Sequence, residues 1–266
     1  MHDDMKEKLT VVKVGGAVVE DDAQLAHLLA DFAAIEGRKV LVHGGGRKAT
    51  KMAERLGVET CMVEGRRVTD SAMLEVVTMV YGGLVNKNIV ARMQALGVNA
   101  IGLTGADAGI IRSAKRPPVV VKSGDTVDYG FVGDVTRVDH EALARLIEAG
   151  LAPVIAPLTH DGEGHMLNTN ADTMASETAK ALAKTYDVTL VFAFEKPGVL
   201  SNPDDDTSVI ATITHSDFER YRDDGTISGG MLPKVSNALA AVDAGVERVV
   251  ITRADAIDGQ HGTVIC

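Results

Sequence analysis

Short apolar runs alternate along this chain with stretches whose apolar residues recur every three or four positions. Residues 9–14 form a β-rich run, after which Leu25, Leu28, Leu29, Phe32 and Ile35 follow helical spacing. Residues 39–43 read as a second buried strand and 47–56 as a second helix. Thr69 or Asp70 can cap a long helix through Met73, Val76, Val77, Val80, Leu84, Ile89 and Leu96. Residues 99–103 form another strand, and 119–135 read as a β-hairpin excursion. Leu143, Leu146 and Ile147 mark a helix that stops at Gly150, before a strand at 152–156. A helix at 170–184, a strand at 188–192 and a helix at 234–244 follow, the last with Pro233 near its first turn. Apolar runs at 247–252 and 263–266 complete the pattern.

This alternation predicts an α/β fold, a three-layer αβα sandwich with a central, mainly parallel sheet. The 266 residues suffice for one large domain or two tightly joined lobes. Ligands of such sheets bind beyond the carboxyl ends of the strands. Lys13-Val-Gly15-Gly16 and His43-Gly44-Gly45-Gly46 both fall there.

Charge and composition narrow the function. A net charge of -10 and 3% aromatic residues argue against a general nucleic-acid binder, which needs a basic face and stacking rings. ATP stays open, because a pocket can be positive on an acidic molecule. Cys61 and Cys266 form no metal-type cluster and fit a reducing, cytoplasmic setting. No apolar run approaches the roughly 20 residues that span a bilayer, and the charged N-terminus is too short for a signal peptide. A soluble protein without membrane or nucleic-acid partners is expected.

Lys13 interrupts an apolar strand at the end where ligands gather, and a buried lysine is costly without an anionic partner. Lys234 follows a second glycine pair, Gly229-Gly230. Glycine turns let backbone N–H groups approach a phosphate, although a tight turn alone would also explain each cluster. Asn168, Asn170 and Asp172 share one strand-to-helix junction, where Asn170 can serve as a helix cap or face an anion. Arg66 and Arg67 precede the long helix, either as a solvated pair or as a bidentate carboxylate clamp. The eight histidines show no metal spacing, and no Ser/His/Asp or Cys/His arrangement stands out. A carboxylate nucleophile would need neither, being ionised at neutral pH. Its difficulty is repulsion from phosphate, which lysines and magnesium relieve.

Taken together, Lys13-Val-Gly-Gly16, Val42-His-Gly-Gly-Gly46, Gly65-Arg-Arg-Val-Thr-Asp70, Leu167-Asn-Thr-Asn-Ala-Asp172 and Gly229-Gly-Met-Leu-Pro-Lys234 resemble the amino acid kinase family, from about residue 9 to the C-terminus. The resemblance implies ATP-dependent phosphorylation of the γ-carboxylate of an N-acylglutamate in arginine biosynthesis. Acetyl is the expected acyl group and succinyl the alternative; a non-catalytic nucleotide or amino-acid sensor of the same fold is the rival reading. By resemblance, Lys13 and Lys234 stabilise the transferring phosphoryl group, and Asp172 holds both lysines by ion pairing. Gly15, Gly16 and Gly45 take the nucleotide phosphates. Gly45, Gly46, Arg67, Asn168 and Asn170 take the acyl amino acid, with Arg67 on its α-carboxylate.

Magnesium is expected to ride on the ATP phosphates and water, with no protein metal site. The resemblance also implies an N-terminal lobe (about 1–165) that binds the acyl amino acid and dimerises, and a C-terminal lobe (about 166–266) that binds ATP. An arginine-insensitive homodimer is expected, its interface including the apolar face of the helix from Met73 to Leu96. One departure stands near the nucleotide: Phe194-Glu-Lys-Pro-Gly-Val199 replaces the family's Asp-Val-x-Gly-Val pattern.

Overall fold

The computed structural model describes residues 6–258 and 261–266. Its central sheet has eight strands, in the order Thr212–Ile213, Thr263–Ile265, Arg248–Arg253, Asp187–Phe194, Lys8–Val14, Arg38–His43, Ala152–Ile155 and Ala100–Leu103. The six strands from Arg248–Arg253 to Ala100–Leu103 run parallel, and Thr263–Ile265 pairs antiparallel to Arg248–Arg253. Four strands from residues 8–155 thus meet four from residues 187–265 at the pair Lys8–Val14 and Asp187–Phe194. Lys13 faces Phe192 across that junction and Val42 on its other side.

Side chains alternate across a strand, and this chain uses both faces as core. Leu9 and Val11 join Val188, Leu190 and Phe192 in one core, which the helices Ala171–Leu182, Met231–Asp243 and His140–Glu148 cover. Val12, Val14 and Val191 point the other way, against the helices Asp22–Ala34 and Gly46–Arg55. This is the expected αβα sandwich. Its register has a chemical consequence: Lys13 falls on the same face as Leu9 and Val11, toward the Ala171–Leu182 helix.

Several local expectations need correction. The long helix is broken into Ser71–Val77, a π-helical stretch Thr78–Val85 and Asn86–Ala95. Gly82 and Gly83 lie within the wide turn, where missing side chains ease a departure from α geometry. Asp70 provides the cap, its carboxylate accepting from Met73 N at 2.8 Å. The apolar face expected at a subunit interface is largely internal: Met73, Val76, Val77, Val80 and Ile89 are buried in the core, leaving Met79, Leu84 and Leu96 exposed.

The 119–135 excursion divides in two. Val119–Val120 pairs with Thr126–Val127 in a small hairpin. Gly133–Val138 instead joins a second, four-stranded sheet, in the order Met166–Asn168, Leu158–His160, Ile111–Lys115, Gly133–Val138. Ile111–Lys115 lies in a stretch too polar to read as a strand, since only alternate residues are buried. The helix around Lys234 begins at Met231, so Pro233 stands in its first turn, where no intrahelical N–H bond is lost.

Candidate active site

Three elements deliver the charged residues to one spot. Lys13 is the penultimate residue of a parallel strand, and the alternation of that strand aims it at the Ala171–Leu182 helix. That helix starts at Asn170, whose side-chain oxygen accepts from Thr173 N at 3.0 Å; the capping reading of Asn170 holds. Asp172 therefore sits in the first turn, where the helix dipole favours a carboxylate. Lys13 Nζ lies 2.7 Å from Asp172 Oδ1. Lys13 is only 6% exposed, so this contact balances a charge that would otherwise be buried alone. The carboxylate oxygen is itself buried and has no aligned hydrogen-bond donor. Charge is what it contributes.

Lys234 departs from expectation. Among the described residues no carboxylate lies within ion-pair distance of it, so Asp172 pairs with Lys13 alone. The Lys234 ammonium instead sits 3.9 Å from the centroid of the Phe194 ring, over which Lys13 also lies, at 5.0 Å. Burial pushes the Lys234 ammonium below its ordinary pKa; Asp172 pulls it up, Lys13 pushes it down and Glu195 pulls it up.

The two glycine turns are packed backbone to backbone. Gly44 N donates to Val14 O at 2.9 Å, and a Cβ on Gly44 would stand 3.0 Å from Gly16 N. A Cβ on Gly45 would strike the Tyr81 ring at 2.8 Å. Glycine is required here by close approach. Gly15 precedes the short helix Gly16–Glu20, and Gly45 precedes the helix Gly46–Arg55; neither has a side-chain cap. Their first N–H groups remain available to an anion. His43, fully buried, supports the second turn. One ring nitrogen bonds Gly44 O at 2.8 Å and the other meets Asn86 Nδ2 at 3.1 Å. Burial lowers its pKa to about 4, so the ring is neutral. It donates from Nδ1 and accepts at Nε2.

A cavity of about 190 Å³ opens beside Gly44–Gly46 and is lined by Arg66, Arg67, Tyr81, Asn168 and Asn170. That volume is below the roughly 300–1,000 Å³ of drug-sized ligand sites and suits a small metabolite. Arg67 is buried, and its guanidinium donates to Gly46 O and Thr50 Oγ1, each at 2.9 Å. No carboxylate lies within ion-pair distance of it among the described residues, so the clamp is cationic and unpaired. Asn168 Nδ2 donates to Thr69 Oγ1 at 3.0 Å. The 129–134 stretch ties these parts together: Thr69 N donates to Tyr129 O, Phe131 N to Thr69 O and Asn168 N to Phe131 O. A Cβ on Gly130 would stand 2.3 Å from Thr69 O, which excludes any other residue from the junction.

A second cavity, of about 230 Å³, lies between Gly15, Gly16, Phe194, Gly198, Met231 and Lys234. Of the residues singled out in the sequence, Gly45, Gly46, Arg67, Asn168 and Asn170 line the first cavity and Gly15, Gly16 and Lys234 the second, while Lys13 and Asp172 line neither. Sequence reasoning misses Gly44 as a contact point, the Thr50 and Thr69 hydroxyls that brace Arg67 and Asn168, and the Phe194 ring. The departure at residues 194–199 was the only signal for Phe194.

The model of the amino acid kinase family matches residues 8–253, and the chain belongs to that family. It is 63% identical over 265 residues to an acetylglutamate kinase of Bacteroides fragilis, covering 100% of this chain and 99% of the relative. An acetylglutamate kinase of Bacteroides thetaiotaomicron is 64% identical over 261 residues, covering 98% of this chain and 99% of the relative. Among solved structures, smu.665 of Streptococcus mutans UA159 is similar with a TM-score of 0.74 at 30% identity, over 97% of this chain and 98% of that one.

Proposed function

We propose that this kinase transfers the γ-phosphoryl group of ATP to the γ-carboxylate of N-acetyl-L-glutamate, giving N-acetylglutamyl 5-phosphate in the second step of arginine biosynthesis. The relatives carry the substrate and the reaction, at more than 60% identity over nearly full length. The observation that carries the chemistry is the Lys13–Asp172 pair at 2.7 Å, with Lys234 beside it over the same aromatic ring.

The obstacle in this reaction is that an anion must approach an anion. The acid needs no base, because its carboxylate is ionised at neutral pH. In this reading Arg67 holds the α-carboxylate in the first cavity, with Gly45, Gly46, Asn168 and Asn170 around the rest of the acid. Gly15, Gly16 and Gly45 turn their N–H groups toward the nucleotide phosphates. Lys13 and Lys234 lie where negative charge builds up on the phosphoryl oxygens, and Asp172 fixes Lys13 in place rather than moving a proton. Magnesium would neutralise phosphate charge from the nucleotide side, held by phosphates and water.

The reading extends to organisation. An N-terminal lobe of about residues 1–165 would bind the acid and a C-terminal lobe of about 166–266 the nucleotide. The division of the sheet at Lys8–Val14 and Asp187–Phe194 supports this. A cytoplasmic homodimer fits as well, with exposed Met79 and Leu84 as the apolar surface available to a second copy. No helix among the described residues is long and apolar enough to cross a membrane. A substrate panel measured by ADP release tests the reading: N-acetylglutamate should lead N-succinylglutamate, free glutamate, aspartate and N-acetylaminoadipate. Equal or higher kcat/KM with any of the others would overturn the assignment.

A further inference from the structure

Phe194 is not a residue type that phosphoryl transfer demands, yet both reactive lysines lie over its ring. Lys234 Nζ is 3.9 Å from the ring centroid and Lys13 Nζ 5.0 Å. The ring is held firmly. Phe194 is the last residue of its strand, its carbonyl accepts from Ala254 N at 3.1 Å, and its ring lies nearly parallel to that of buried Phe192, at 12° and 6.0 Å. Lys234, by contrast, has neither an ion pair nor a hydrogen bond among the described residues. Among the described residues, the ring is the close partner of its ammonium.

We infer that Phe194 is a positioning residue: its ring face seats the Lys234 ammonium at the site while leaving its charge unpaired. The inference rests on the kinase reading given above. Its logic is a comparison of partners. The local charges are Lys13, Lys234, Asp172 and Glu195; Asp172 is taken by Lys13, and Glu195 lies within ion-pair distance of Arg47 but not of Lys234. A second carboxylate on Lys234 would hold it as firmly, but would cancel the field that the phosphoryl group should meet. A bare aliphatic wall would leave Lys234 free to swing away from Lys13, which repels it. The negative face of an aromatic ring does neither. It attracts the cation weakly, adds no formal charge and yields when a phosphate arrives.

A purely apolar role for Phe194, filling the end of the core, predicts something different. Leucine would then serve nearly as well, and any loss would be independent of Lys234. The seating role requires that Phe194 act through Lys234 and that tyrosine, which keeps the ring face, preserve the function.

Two measurements on the full chain decide the matter. In the first, lysines are reductively methylated with carbon-13 and the Lys234 resonance is assigned with Lys234→Arg. The ring should shift this resonance upfield in the wild type; Phe194→Leu should abolish the shift and Phe194→Tyr keep it. An unshifted wild-type resonance would overturn the seating whether or not any variant folds. The second is a double-mutant cycle in kcat/KM. Phe194→Leu should cost about tenfold, Phe194→Tyr about twofold or less, and Phe194→Leu should add nothing in a Lys234→Ala background. The same fractional loss in both backgrounds would contradict the proposal. An upfield resonance in a protein that makes no acyl phosphate would leave the seat standing and remove the kinase reading. Turnover with an unshifted resonance would do the reverse.

Discussion

Lys13 and Asp172 meet at 2.7 Å because a strand register and a helix cap agree. Lys13 takes the face of its strand already set by Leu9 and Val11, and Asn170 starts the opposing helix two residues before Asp172. Asp172→Asn keeps the shape and removes the charge. Lys13 and Lys234 would then repel one another with no carboxylate to hold Lys13 in place. The expected result is a kcat lower by about 10²–10³-fold, with the KM for N-acetylglutamate nearly unchanged. A variant whose loss lies wholly in KM would show that Asp172 serves binding instead.

Arg67→Lys tests the substrate clamp. The guanidinium is braced through Nη2 by Gly46 O and Thr50 Oγ1 at 2.9 Å, while Nη1 has only long contacts to Thr60 Oγ1 at 3.4 Å and Met73 Sδ at 3.9 Å, so the donors left to a substrate are fixed in direction. A lysine at this position keeps the charge but loses the fork. With charged hydrogen bonds contributing about 1.5–3 kcal/mol each, the KM for the acid should rise by about 10–100-fold, with the KM for ATP little affected. Initial-rate kinetics with each substrate varied in turn would reveal the opposite pattern if Arg67 contacted the nucleotide.

Gly44→Ala places a methyl group 3.0 Å from Gly16 N, backbone against backbone. The two phosphate-facing turns must then separate by a few tenths of an ångström. Both belong to the nucleotide site in this account, so kcat/KM for ATP should fall by about tenfold. Thermal stability should change far less, since no core side chain is removed. An unchanged kcat/KM would mean that the spacing of the turns is not critical.

How far the sequence reveals this site depends on the kind of signal. Lys13, Asp172 and the glycines stand out because each breaks a local pattern: a lysine in an apolar strand, or side-chain-free residues at a strand end. The parallel sheet is equally legible, because strands buried on both faces leave continuous apolar runs such as residues 188–192. The strand Ile111–Lys115 is not, because one of its faces is wet and its partners lie far along the chain. The π-helical turn at Thr78–Val85 hides for another reason: its hydrophobic positions are nearly those of an α-helix. The pairing of Lys234 with Phe194 rather than Asp172 is a tertiary outcome, decided by where the Met231–Asp243 helix docks, and no local spacing reports it.

His43 gives the protein a pH dependence of known sign. Its folded pKa is depressed to about 4 by burial, with Lys87 nearby acting in the same direction. The unfolded chain takes up the proton near pH 6.5. The folded form therefore gains nothing from protonation until about pH 4. His43 thus supports full stability above pH 6.5, and this is lost as pH falls toward 4. Between pH 7 and pH 4.5 the wild type should lose about 2 kcal/mol more than His43→Asn in urea unfolding. Parallel losses in the two proteins would mean that the ring is protonated in the folded state.

The central claim is that paired lysines let a γ-carboxylate attack ATP, and the product itself tests it. Hydroxylamine added to the enzyme with ATP, magnesium and N-acetylglutamate should trap N-acetylglutamate γ-hydroxamate, identified by mass spectrometry, one per ADP formed. ADP released without hydroxamate, or hydroxamate formed undiminished by Lys13→Ala, would contradict it.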